Sequence, residues 1–191
     1  MKKIIIAIDS FKGCLTSAEA GKAAEKGIKS INPSCHTSVI PIADGGEGLL
    51  DVLITATKGK YITLSAHGPL MKMAKTHYGL SGNGRTAIIE MAAISGLPLV
   101  PIEQRNPMLT TTFGTGELIK DALNKGCRNF IIGIGGSATN DAGLGMLQAL
   151  GFRFLDKSGH TLGTGGQIME AVANIDTSGI HPALKETHFV V

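Results

Sequence analysis

The stretch FIIGIGGSATNDAGLG, residues 130–145, constrains this chain most. An apolar run ends in Gly133, Gly135 and Gly136. Ser137, Thr139, Asn140 and Asp141 follow, and then small residues that start a helix. A strand, a glycine loop and a helix in that order present backbone N–H groups, hydroxyls and one carboxylate at the carboxyl end of a strand. Anions bind at such a place because the first turn of a helix leaves N–H groups unpaired and carries positive partial charge. In open α/β sheets, ligands gather there as well.

The same grammar recurs along the chain. Residues 3–8 are a continuous Ile-rich run and read as a buried parallel strand covered on both faces. Thr16-Ser17-Ala18-Glu19 is a capping-box pattern that starts a helix reaching about Lys29. Residues 36–42 read as a second strand. Ala43-Asp44-Gly45-Gly46-Glu47-Gly48 then opens a helix to about Thr57. Two βα units with ligand-type loops predict an α/β fold with a Rossmann-like, doubly wound sheet. Residues 61–66, 76–80 and 86–91 are strand-like with no helix between them, and Ser81-Gly82-Asn83-Gly84 is a hairpin turn. Residues 60–107 therefore read as a β-rich insertion, or the start of a second domain, set between 1–59 and 108–191. A helix through Leu118 and Leu123 is stopped by Gly126. The strand 130–134, a helix near 142–150, a short strand 152–155 and a helix near 165–172 complete the series. Residues 188–191 look like a strand cut off in mid-run, so an incomplete form of a longer chain is expected.

Composition narrows the function classes. With 43% hydrophobic and 17% charged residues, the 191-residue chain can build a core, and disorder is excluded. The net charge of +3 has no cationic tract behind it, so a nucleic-acid partner is not expected. No apolar segment approaches membrane-spanning length, and the short apolar run near the N-terminus is interrupted too early by Asp9 and Lys12 for a signal peptide. Cys14, Cys35 and Cys127 lack metal-binding spacing and fit a reduced, cytoplasmic protein. The histidines are scattered, and none is assigned as a ligand or base.

Three constellations carry chemistry. Asp9, Ser10 and Lys12 share one loop that can position an anionic substrate and activate an alcohol, or simply lead into a helix. Asp44 and Glu47 flank Gly45 and Gly46, where two carboxylates can hold Mg²⁺ and the glycines let backbone approach a ligand. Capping of the next helix explains the same residues. In the third, Gly135, Gly136, Ser137, Thr139 and Asn140 offer phosphate donors and Asp141 a metal ligand or a cap. Gly143 and Gly145 each cost about 1 kcal/mol in a helix interior, a cost easier to understand if backbone must approach something there. The hydroxyl-rich stretch from Thr110 to Gly116 is explained by capping alone. No GxxxxGK[ST] occurs, which excludes a P-loop. Gly133-x-Gly135-x-x-Ala138, with Asp156 beyond it, matches a permissive dinucleotide fingerprint and keeps an NAD(P)-linked oxidoreductase open.

DSFKG at 9–13, ADGGEG at 43–48, GTGELI at 114–119 and GIGGSATNDAG at 133–143 together resemble the glycerate kinase family, of the bacterial type with neither a P-loop nor a sugar-kinase signature. Ala142 stands where that family commonly has another glycine, a mild change if φ there is negative. The resemblance implies a chain about twice this long and two α/β lobes, 1–59 and 108–191 in the Rossmann-like one and 60–107 a β-rich insertion that begins the second. It also implies ATP-dependent phosphorylation of D-glycerate, on the 2-hydroxyl, with Mg²⁺. Under it Asp9, Ser10 and Lys12 are catalytic, and Asp44, Gly45, Gly46 and Glu47 surround glycerate or metal. Gly135, Gly136, Ser137, Thr139 and Asn140 hold phosphate oxygens, and Asp141 lies near Mg²⁺. A non-catalytic fragment that binds an anion or nucleotide is the remaining alternative.

Overall fold

The computed structural model describes residues 3–191. The first unit is small. Strand β1 (Lys3–Ile8) pairs in parallel with β2 (His36–Pro41), and helix α1 (Ser17–Ile31) crosses between them. The predicted capping box is present, with Thr16 accepting from the Glu19 backbone and Glu19 reaching back to the Thr16 N–H. Helix α1 lies so close to β2 that a Cβ on Gly21 would sit 2.4 Å from Val39. Only one face of this pair is covered. Ile6 is buried, whereas its neighbour Ile5 is 60% exposed, because successive side chains leave a strand on opposite faces. Within the described residues, the burial expected for 3–8 on both faces is met on one.

The second unit holds the main core. Its five-stranded sheet has the order β3-β4-β5-β6-β9, with β3 (Lys60–His67), β4 (Met73–Leu80), β5 (Thr86–Glu90), β6 (Asn129–Gly133) and β9 (His188–Val190). Strands β3, β4 and β5 run antiparallel as hairpins, and β5, β6 and β9 run parallel. The sheet is mixed, and β1–β2 form a separate ladder. Residues 60–90, expected to stand apart from 108–191, share this sheet with 129–190.

Both faces of the large sheet carry helices. On one, α2 (Leu49–Thr57) packs Leu50 and Ile54 against Ile88. On the other, α4 (Phe113–Asn124) buries Leu118, Ile119, Ala122 and Leu123 against Ala87, Ile89 and Phe130. Tyr78, fully buried, donates its hydroxyl to Asp121 on α4 at 2.8 Å, which satisfies the one polar atom of that ring. The short helices α3 (Ala92–Ser95) and α5 (Leu144–Ala149) and the hairpin of β7 (Arg153–Leu155) and β8 (Asn174–Asp176) complete the molecule. Residues 165–172 are helical as expected, but as a 3₁₀ segment over Gly166–Ala171. No helix among the described residues is long and apolar enough to cross a membrane.

Candidate functional site

The two glycine loops expected at strand ends are packed on one another. Strand β6 ends at Gly133, and the Gly135 N–H donates to the Gly45 carbonyl at 3.2 Å. A Cβ on Gly135 would lie 2.6 Å from the Gly46 Cα, and one on Gly133 would lie 2.5 Å from the Gly45 oxygen. Both positions require glycine because backbone meets backbone there. From the far side, Met91 N–H donates to the Gly133 carbonyl, Leu97 N–H to that of Gly136, and Ala138 N–H to that of Ser95, at 2.9–3.0 Å. The second loop is therefore clamped between the first loop and the α3 segment. Among the described residues the N–H groups of Gly136 and Ser137 keep no partner.

A cavity of about 480 Å³ opens where the loops meet. Lys12, Asp44, Gly45, Gly46, Glu47, Gly135 and Gly136 line it, with Ile132, Gly133, Ile134 and Val191. Lys12 Nζ stands 3.9 Å from Asp44 Oδ2, and both side chains are exposed. One cation and two carboxylates therefore face the fused glycine loops. Asp9 and Ser10 are not on this wall. The Asp9 carboxylate accepts from the Ser10 N–H at 2.6 Å, and the Ser10 hydroxyl is a buried oxygen without a hydrogen-bond partner among the described residues. Ser137 and Thr139 line a second cavity on the other flank of the loop, and Asn140 lines neither.

Asp141 does not fit the metal role expected of it. It is 1% exposed, and its oxygens accept from Thr112 N–H at 2.8 Å, Gly143 N–H at 3.1 Å and Gly145 N–H at 3.2 Å. The hydroxyls of Thr111 and Thr112 donate to it as well, at 3.0–3.2 Å. A carboxylate so fully occupied ties the start of α4 to the start of α5 and has no lone pair aimed at a ligand. The N-terminus of α5 is closed for the same reason. Gly143 and Gly145 are held by the Asp141 side chain, Leu144 by its carbonyl and Met146 by the Thr112 hydroxyl. The close approach that Gly145 permits is to Thr111, 2.0 Å from where a Cβ would stand, and not to a ligand.

The dinucleotide fingerprint fails on this geometry. It requires a helix to begin within the glycine motif, and α5 begins only at Leu144. Asp156 is spent in its own turn, accepting from Ser158 and His160 N–H.

Two residues that sequence reasoning did not select matter here. Thr112, taken as a plain cap, is a main holder of Asp141. Glu90, at the end of β5, accepts from Gly48 N–H at 3.2 Å and Leu50 N–H at 3.3 Å, so it fixes the first glycine loop and caps α2. Partial burial pushes its carboxyl above the ordinary range, against the opposing pull of those two N–H bonds, with nearby Asp51 and Glu47 adding to the rise. The signal was present, since a lone acid closes the apolar run of β5 as Asp9 closes that of β1.

Fold and site together define a mixed α/β protein whose two glycine loops are fused beside a charged cavity. Comparison with known proteins supplies the family. The sequence model of the glycerate kinase family matches residues 4–191, and the chain belongs to that family. A glycerate kinase of Bacillus subtilis (strain 168) is 52% identical over 99% of this chain and 50% of its own. A glycerate 2-kinase of Escherichia coli (strain K12) is 50% identical over 96% of this chain and 48% of its own. Among solved structures, a putative glycerate kinase 2 from Salmonella typhimurium LT2 superposes with a TM-score of 0.86 at 47% identity, covering 99% of this chain and 51% of that one. The chain spans about half the length of the curated relatives it matches.

Proposed function

We propose that these residues belong to an ATP-dependent kinase that phosphorylates D-glycerate on its 2-hydroxyl, with Mg²⁺, in the cytoplasm. The observation that carries the site assignment is the cavity where Lys12, Asp44 and Glu47 face the joined glycine loops. Phosphoryl transfer asks mainly for positioning and for stabilisation of charge on the transferring group. The free N–H group of Gly136 is a rigidly held donor for phosphate oxygens, and it needs no reorganisation when charge develops. Lys12 adds a mobile cation at the same wall. Asp44 and Glu47 fit Mg²⁺, which takes one or two carboxylates and completes its shell with water and phosphate oxygens. Bound there, the ion would neutralise phosphate charge. Asp9 and Ser10 act behind this wall, shaping the loop that carries Lys12.

A two-lobed arrangement goes with this reading. The β1–α1–β2 unit is the start of a Rossmann-like lobe, and α2 onward forms most of the other. On this reading the boundary lies near the first glycine loop rather than around 60–107. The test is ADP release from Mg·ATP, with and without D-glycerate. It is run on this chain and on this chain joined to the second half of the Bacillus subtilis relative. Glycerate-dependent release, with ³¹P spectra showing the 2-phosphate, is the expected result. Release independent of glycerate in both proteins would remove the substrate assignment.

A further inference from the structure

A second cavity, of about 260 Å³, lies on the opposite flank of the glycine loop from Lys12. One wall is Ser137 and Thr139, with Thr110 beside them. The other comes from the segment of two 3₁₀ turns after α3 and presents Leu97, Val100 and Arg105. Arg105 is the only ionisable residue in the lining. Its Nε donates to the Val100 carbonyl at 3.2 Å, which anchors the guanidinium. Among the described residues no carboxylate comes within 4.0 Å of it. Its terminal N–H groups are thus a fork with no acid to engage, the geometry that matches a carboxylate in a bidentate pair.

The hydroxyls opposite can be counted. The Thr110 O–H is spent on the Ala138 carbonyl at 2.8 Å. Ser137 and Thr139 share one hydrogen bond at 2.7 Å, and Ser137 Oγ also accepts from the Thr139 N–H. Two hydroxyls with one bond between them leave one O–H to donate. The cavity therefore offers a positive fork on one side and a hydroxyl donor on the other, with apolar flanks. The larger cavity is its electrostatic opposite, since Asp44 and Glu47 outnumber Lys12 there. An acid without a metal is repelled by that set and attracted by Arg105.

We infer that the smaller cavity binds the carboxylate of a short hydroxy acid through Arg105, with Ser137 and Thr139 receiving its polar remainder. That the acid is D-glycerate rests on the function proposed above. The loop then separates two ligands, the metal-bound polyphosphate on the Gly133–Gly136 side and the acceptor acid on the Ser137–Thr139 side. Arg105 is a specificity-determining residue in this arrangement, because it selects acids over uncharged polyols.

The test is a set of ¹H–¹⁵N titrations of the protein with D-glycerate, with acetate and with glycerol. The expected result is that D-glycerate moves the Arg105 Nε–H, Ser137 and Thr139 signals and glycerol does not. Arg105→Gln raises the D-glycerate Kd by about tenfold or more, and Arg105→Lys recovers only part of the loss. Arg105 is exposed, so its variants keep the wild-type Tm. Should acetate move these signals in an Arg105-dependent way while D-glycerate does not, the carboxylate site stands and the glycerate reading falls. Equal D-glycerate affinity in wild type and Arg105→Gln would overturn the inference. So would shifts confined to Lys12 and Asp44, or no response to either acid.

Discussion

Asp141 shows how a side chain can look like chemistry in sequence and serve as architecture in three dimensions. It stands beside glycines and hydroxyls, where a metal ligand would be sensible. Its partners, however, include Thr111 and Thr112, thirty and twenty-nine residues away in sequence, and no local pattern announces them. Asp141→Ala is expected to destabilise the protein by about 3–5 kcal/mol, since it strands several buried donors at once. Urea titrations should give the same loss with and without Mg²⁺, whereas a metal ligand would make the loss depend on the ion. Ala142 is a second case. Its φ is +50°, in the left-handed region, so the mild replacement expected for a negative φ is a strained one. Left-handed backbone costs a non-glycine residue about 1–2 kcal/mol, and part of this returns as the greater unfolded-state entropy of glycine. Ala142→Gly is therefore expected to raise stability by about 0.5–1 kcal/mol in the same titration. The sign of φ cannot be read from an alanine.

At the scale of elements, most of the chain was legible. The capping box at Thr16, the turn at residues 81–84 and the apolar runs that became β5 and β6 each carry a local signal, and each formed where expected. Pairing carries no such signal. Nothing in the runs 3–8 and 130–134 says that the first joins a two-stranded ladder open on one face and the second a five-stranded sheet. The glycine loops lie between these extremes. Their composition marked them as places of close approach, but not that each approaches the other. Gly135→Ala forces a Cβ against the Gly46 backbone, and a misfit of this kind costs about 1–3 kcal/mol. It should also loosen the first loop, seen as faster amide exchange at residues 45–48. Glu90 links the same loop to β5 and gives it a pH dependence. Its folded-state pKa is raised above the ordinary value of 4.5, so the folded protein holds this proton more tightly than the unfolded chain. The associated stability is present below about pH 4.5 and is lost as pH rises through the folded-state value. In Glu90→Gln the amide oxygen can accept both N–H bonds, which in the wild type fall on a single oxygen. The variant should then lose less stability than wild type between pH 4 and neutrality, as measured by denaturation at stepped pH.

For the molecule as a whole, the two glycine loops are the junction between its units. They sit where the small β1–β2 unit meets the large sheet, and they bring Lys12 from the first together with Gly135 and Gly136 from the second. Family membership was legible because four motifs kept their order over most of the chain, and any local reading of one of them stayed ambiguous. The division of labour within the site was not legible, because it depends on which flank of one loop each side chain reaches. The proposed function puts phosphoryl transfer at the Lys12 cavity and not at the Asp141 cluster. Glycerate-dependent ADP release by the Lys12→Ala variant, in the protein joined to its relative's second half, tests this most directly. The Lys12 side chain is 65% exposed, so the variant should keep the wild-type Tm. The expected fall in kcat is about 100-fold, the size typical of removing one group that stabilises charge on the transferring phosphoryl. Turnover equal to that of the unaltered protein would contradict it.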